Sequence, residues 1–244
     1  MKPRPFPAVL PHGALREVLP NVFVVRGSMK MGPMQFSRNM TVIREGERLV
    51  LVNTVRLDDS GLAALDALGT VTDVIRLAGF HGSDDPFYKD RYDCTVHALE
   101  GQTYFSGLDP RKGEVYFEPD VLLTEESPLP IEGASLYVIS TKPTEGLLRI
   151  PHSGGTLVAG DCLQNWATPD AQFNFLAKVG MRVMGFLKPA QLGPEWAKQL
   201  KPDRGQIGGI LDLGFVNLVP AHGASILGDA SERFRPAIER YCAG

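Results

Sequence analysis

The chain has 244 residues, 43% of them hydrophobic and 22% charged, with a formal net charge of −3 at pH 7. That is enough chain to bury a substantial core, and nothing in it reads as a linker, so a single domain over residues 1–244 is expected. The basic residues are scattered, which sets nucleic-acid binding aside. The three cysteines, Cys94, Cys162 and Cys242, are too few and too widely spaced for a disulfide framework or a CxxC metal site; they favour a reducing compartment, by default the cytoplasm.

The opening Met1-Lys-Pro-Arg-Pro-Phe-Pro reads as an irregular arm and lacks the apolar run of a signal peptide. From Leu15 a period-2 pattern predicts two edge strands turning at Pro20-Asn21, and Met29-Lys-Met-Gly-Pro-Met reads as a flexible apolar loop. Asn39 to Arg44 and Arg48 to Thr54, separated by Glu45-Gly-Glu, form the clearest hairpin in the chain. Ser60 is placed as a helix N-cap, with Leu62, Leu65 and Leu68 on one face and Gly69 as a left-handed terminator.

The stretch from Val71 to Ala78 is a near-continuous apolar run that stops in Gly79-Phe-His-Gly-Ser-Asp-Asp-Pro86. Such runs mark buried parallel strands, and open α/β sheets place their chemistry just beyond the carboxyl ends of those strands. His81, Asp84 and Asp85 therefore stand where a site is expected. Thr95 to Leu99 is a further short strand, followed by a polar segment from Glu100 to Pro119. Val121 to Thr124, Ser135 to Ser140, Leu147 to Ile150 and Thr156 to Ala159 read as successive strands, the last ending in Gly160-Asp161.

Ala171 to Lys188 reads as a helix that is apolar almost all round, its polar residues Asn174, Lys178 and Arg182 forming one thin stripe. A helix of that kind is covered on most sides, so Phe173, Leu176, Val183 and Leu187 are expected to be buried in the domain or in a homodimer interface. Lys178 and Arg182 argue against a transmembrane span, and a membrane-surface or lid role is the alternative. The strand Phe215 to Val219 leads to Pro220-Ala-His222, and Ser231 is placed as the cap of a final helix carrying Phe234, Ile238 and Tyr241.

Each candidate has a bland reading. Taken alone, His81 and His222 read as turn or loop histidines and Asp161 as a helix N-cap. Their placement at three strand ends, in the order His/Asp/Asp, Gly-Asp, Pro-x-His-Gly, favours convergence on one site. That order resembles the metallo-β-lactamase superfamily, best in Gly155-Thr-Leu-Val-Ala-Gly-Asp161 and Val219-Pro-Ala-His-Gly-Ala-Ser-Ile-Leu-Gly-Asp229.

The resemblance implies a four-layer αββα sandwich and one or two metal ions at one sheet edge. The family's His-x-His-x-Asp-His loop corresponds to His81-Gly-Ser-Asp-Asp-Pro86. With His81 as its first His, Ser83 and Pro86 replace two ligands and Asp85 matches the acid; counting strand length shifts the register by two or three residues. The family's usual Asp after the early strand is Asn53, and Lys142 stands nearest to another missing His. The implied site is a single divalent ion, zinc with manganese or iron as alternatives, on His81, Asp85 (or Asp84), Asp161 and His222. A water of lowered pKa would attack, with Asp84 or Asp85 as proton acceptor.

Cys162 reads as a packed thiol, and His12, His97 and His152, without carboxylates near them in sequence, as surface or structural residues. Gln164, Asn165 and Trp166 follow Asp161 closely enough to line a pocket. The implied function is hydrolysis of a small ester, lactone, amide or thioester. The rival, from another class, is a superfamily relative without catalysis that binds a small ligand or a partner.

Overall fold

The computed structural model describes residues 5–105 and 113–244. The first four residues of the Pro-rich arm and residues 106–112 of the polar segment lie outside the described residues. In chain order the elements are β1 (Arg16–Leu19), β2 (Val22–Met31), β3 (Met34–Glu45), β4 (Arg48–Val52), α1 (Asp59–Leu68), β5 (Thr70–Arg76), α2 (Asp85–Tyr92) and β6 (Thr95–Leu99). Then come β7 (Tyr104–Phe105), β8 (Val115–Phe117), β9 (Val121–Leu123), β10 (Ser135–Ile139), β11 (Glu145–Ile150), β12 (Thr156–Ala159) and β13 (Leu163–Gln164). The chain ends with α3 (Phe175–Val183), β14 (Gln191–Leu192), α4 (Pro194–Leu200), α5 (Arg204–Gly209), β15 (Asn217–Pro220) and α6 (Ala230–Ala243).

Two larger sheets form, a seven-stranded one in the order β1-β2-β3-β4-β5-β6-β9 and a four-stranded one in the order β10-β11-β12-β15. The period-2 alternation of their strands sorts side chains into three layers. On β4, Val50 and Val52 face the second sheet and meet Leu148, Ile150 and Val158 there. Leu49 and Leu51 face the other way, onto Leu62 and Leu65 of α1 and Phe87 and Tyr88 of α2. On the far side, Leu157 and Ala159 of β12 pack under Trp196 of α4, Ile207 of α5 and Phe234 and Ile238 of α6. The result is the expected αββα sandwich, with each fully buried aliphatic residue contributing about 1.5–3 kcal/mol of transfer free energy.

Several expectations need correction. Met29 to Met34 is no loop: β2 and β3 continue to Met31 and Met34, joined by a turn at Gly32-Pro33, because Met29↔Phe36 and Lys30↔Gln35 keep the ladder in register. The cap of α1 is Asp58, whose carboxylate accepts from Gly61 N at 2.8 Å, while Ser60 Oγ donates to that same carboxylate at 2.7 Å. Gly69 stays extended rather than left-handed; it is required by crowding, since a Cβ there would lie 2.5 Å from the Glu47 carbonyl. The final helix begins at Ala230, so Ser231 lies inside its first turn. Of the successive strands expected from Val121 onward, β9 pairs in parallel with β6 in the first sheet, while β10 to β12 build the second.

The largest departure is the helix expected over Ala171 to Lys188. Only α3 forms, opened by Asn174, whose side chain accepts from Ala177 N at 2.8 Å. Phe173 is buried and Leu187 partly so, but Leu176 and Val183 are exposed. Among the described residues no helix is long and apolar enough to cross a membrane.

Candidate metal centre

The three strand ends meet through register. β12 and β15 are parallel with Ala159 opposite Pro220, so two further steps along each chain put Asp161 beside His222. From the first sheet, β5 lies parallel to β4, and the chain beyond it bends back toward Asp161. Asn53 makes that bend, its Oδ1 accepting from Leu77 N at 3.0 Å and Ala78 N at 3.4 Å. The residue where an acidic ligand was sought thus caps a strand end instead. Gly160 is required by crowding, since a Cβ would stand 2.5 Å from Glu145 Oε1 and 2.6 Å from Ala78 Cβ.

His81, Asp161 and His222 are all buried and come together. His81 Nε2 lies 3.2 Å from Asp161 Oδ1 and 3.2 Å from His222 Nε2, and His222 Nε2 lies 2.9 Å from Asp161 Oδ1. His222 Nδ1 is 3.3 Å from the Ser37 carbonyl, which can only accept, so that contact assigns the proton to Nδ1 and leaves the Nε2 lone pair facing the carboxylate. Two acceptors at that separation call for a proton or a cation between them. Among the described residues, Asp161 Oδ2 and His81 Nδ1 are buried without a hydrogen-bond partner.

Burial lowers the His81 pKa, outweighing the pull of Asp161, which keeps the ring neutral at pH 7. Burial works to raise Asp161, but His81 and His222 prevail and hold it well below the usual carboxylate range. A neutral His81 ring and an ionised Asp161 carboxylate are the protonation states a metal requires of those ligands. The donor set therefore fits a divalent ion with an open position.

The expected fourth ligand is not among the converging groups. Asp85 opens α2, and that turn directs its carboxylate inward, where Oδ1 accepts from Thr54 Oγ1 at 2.5 Å and Oδ2 from Tyr104 OH at 2.6 Å. Burial raises its pKa against the opposing effect of those two bonds. Asp84, also buried, is ion-paired with Arg38 and accepts from Arg56 N at 2.9 Å. Both carboxylates tie the His81 loop to the first sheet.

Glu145, which sequence reading passed over, stands behind Asp161. Fully buried, its Oε1 accepts from Asp161 N at 2.5 Å and Cys162 N at 3.0 Å. Burial first, then the Asp161 charge, push its pKa well above 4.5. Its only sequence signal was a carboxylate opening an apolar strand. Cys162 is a free, buried thiol packed under the second sheet. Trp166 tilts against His222 with ring centroids 4.9 Å apart and donates to Ser37 Oγ at 3.1 Å. Gln164 donates to the Asp161 carbonyl at 3.0 Å, and Asn165 to the Ala224 carbonyl at 2.8 Å. His12, His97 and His152 do have carboxylates in space, Asp58 at 3.4 Å, Asp73 at 2.8 Å and Glu45 at 3.8 Å, because strand pairing and loop packing bring together what the sequence separates.

No protein-family model matches the sequence, and comparison with curated proteins gives no match. Solved structures do match. The metallo-β-lactamase FIM-1 from Pseudomonas aeruginosa, in its mono-zinc form, superposes with a TM-score of 0.61 at 11% identity over 98% of this chain and 99% of that one. The DIM-1 metallo-β-lactamase gives 0.59 at 13% identity over 94% and 99%, and a metallo-β-lactamase from Erythrobacter litoralis 0.56 at 10% over 93% and 92%. The chain has the metallo-β-lactamase fold.

Proposed function

We propose that the chain is a metal-dependent hydrolase of a small ester, lactone, amide or thioester, working with one divalent ion held by His81, Asp161 and His222. The observation that carries the reading is the approach of two imidazole Nε2 atoms and a carboxylate oxygen to within 3.2 Å of one another. The mono-zinc form of FIM-1 is a precedent for a single zinc on this fold, and manganese and iron are compatible with the donors. When bound, the ion supplies Lewis acidity and lowers the pKa of coordinated water.

The chain's own residues prepare that chemistry. The Ser37 carbonyl holds His222 in the tautomer that exposes Nε2, and Glu145 fixes the backbone on which Asp161 stands. Trp166 packs against His222 and is itself backed by Phe36 and Phe173. Asp84 and Asp85 position the His81 loop. The reading treats residues 1–244 as one domain, in the cytoplasm, consistent with three free cysteines.

A non-catalytic ligand-binding relative is the second reading, favoured by the engagement of both Asp84 and Asp85, which leaves neither carboxylate free as a proton acceptor. The test is a panel of chromogenic esters, lactones, amides and thioesters assayed with zinc-, manganese- and iron-loaded protein. Turnover abolished by a chelator and by Asp161→Ala supports the hydrolase. Stoichiometric metal binding with no turnover across the panel supports the binding protein.

A further inference from the structure

We infer that α3 and the β2–β3 hairpin tip form a docking face for an anionic membrane surface. Phe175 is 77% exposed, Leu176 52%, Val179 49% and Val183 82%, large apolar side chains that a helix normally buries. At 100° per residue these four share one arc of the helix, whereas Ala177 and Met181, which are buried, lie on the opposite side. Lys178 and Arg182 occupy the arc beside the apolar one and are exposed.

The hairpin extends the face. Asn174, at the start of α3, donates its side-chain amide to the Pro33 carbonyl at 2.8 Å, and its backbone N–H to the Gln35 carbonyl at 3.0 Å. Lys30 and Met31, both exposed, stand at that tip. Among the described residues none of Lys30, Lys178, Arg182 and Lys188 has a salt-bridge partner, in contrast to Arg26, Arg38 and Arg233 elsewhere.

Charge decides between occupants. No Asp or Glu occurs between Asp170 and Glu195, or between Glu17 and Glu45, although the chain as a whole carries a net charge of −3. In a symmetric dimer the same patch meets itself, which would bring Lys178 and Arg182 toward their own copies with no acid on either element to pair them. An anionic lipid surface supplies what the face lacks: headgroups for the lysines and arginine, and an acyl boundary for Phe175, Leu176, Val179 and Val183. This inference does not depend on the metal-centre reading.

Flotation of the full chain with phosphatidylcholine vesicles, with and without phosphatidylglycerol, tests it. The chain should float with the anionic vesicles and not with the neutral ones, and high salt should weaken the association. Lys178→Ala combined with Arg182→Ala should lower affinity about thirtyfold, from the usual worth of basic residues at such surfaces. Val179→Ser with Val183→Ser should release the protein without lowering its melting temperature. A Phe175→Trp variant should show an emission blue shift on adding anionic vesicles only. The inference is overturned if the parent fails to float, if parent and variants float alike, if no blue shift occurs, or if sedimentation shows a dimer that Val183→Ser dissolves.

Discussion

Asp161 stands where the two sheets meet, within 3.2 Å of His81 and 2.9 Å of His222, with Glu145 behind it. Asp161→Ala and His222→Ala should each weaken metal binding by roughly a hundredfold or more, because loss of an outer-shell partner alone typically costs about 10–100-fold. Competition titration against a zinc dye measures this. Glu145 distinguishes shape from charge. Glu145→Gln keeps an acceptor oxygen for the Asp161 and Cys162 amides, whereas Glu145→Ala orphans both. The alanine variant should lose about 1–3 kcal/mol in urea unfolding and the glutamine variant much less.

Away from the site, Asp73 carries a pH signature. Burial would raise its pKa, but the hydrogen bond and charge of His97 hold it below 3.8. A depressed folded-state pKa gives stability that is present above 3.8 and lost as pH falls through the folded value. Asp73→Asn should therefore flatten the acid limb of a stability profile taken from about pH 6 to about pH 2. Loss of the limb's slope in the variant supports the pair; an unchanged slope contradicts it.

At the scale of elements, α1 shows how far a pattern reaches. Its apolar face was legible in Leu62, Leu65 and Leu68, but Asp58-Asp59-Ser60 offers three capping side chains and only geometry selects Asp58. Asp58→Ala should lower the melting temperature more than Ser60→Ala, the reverse of what the sequence suggests. The strand ends carrying His81, Asp161 and His222 were legible because buried parallel strands announce themselves as apolar runs. The orientation of Asp85 was not, since it follows from α2 beginning there and from Tyr104, nineteen residues away, reaching back to it. α3 misled for a physical reason: an all-round apolar pattern implies cover, and here Ala177 and Met181 alone lean on the protein.

At the scale of the molecule, the four layers were implied by the family resemblance and the individual strands by their alternation, but the assignment of β9 to the first sheet depended on which sheet had a free parallel edge, which periodicity does not encode. The proposed centre takes His81 from one sheet and Asp161 and His222 from the other, so an ion there would clamp the two halves of the sandwich. Ligand bound only by the folded state at a hundredfold excess over its Kd adds about 2.7 kcal/mol. For a chain of this length that raises the melting temperature by about 5–10 °C. Calorimetry with and without zinc should show the rise, and a chelator should reverse it.

The most direct measurement is anomalous diffraction at the zinc edge from crystals grown with zinc. The account predicts a single peak bonded to the Nε2 atoms of His81 and His222 and to the Asp161 carboxylate, with Asp84 and Asp85 still tied to Arg38, Thr54 and Tyr104. No peak at that position, or a peak held by Asp84 or Asp85 instead, would contradict it.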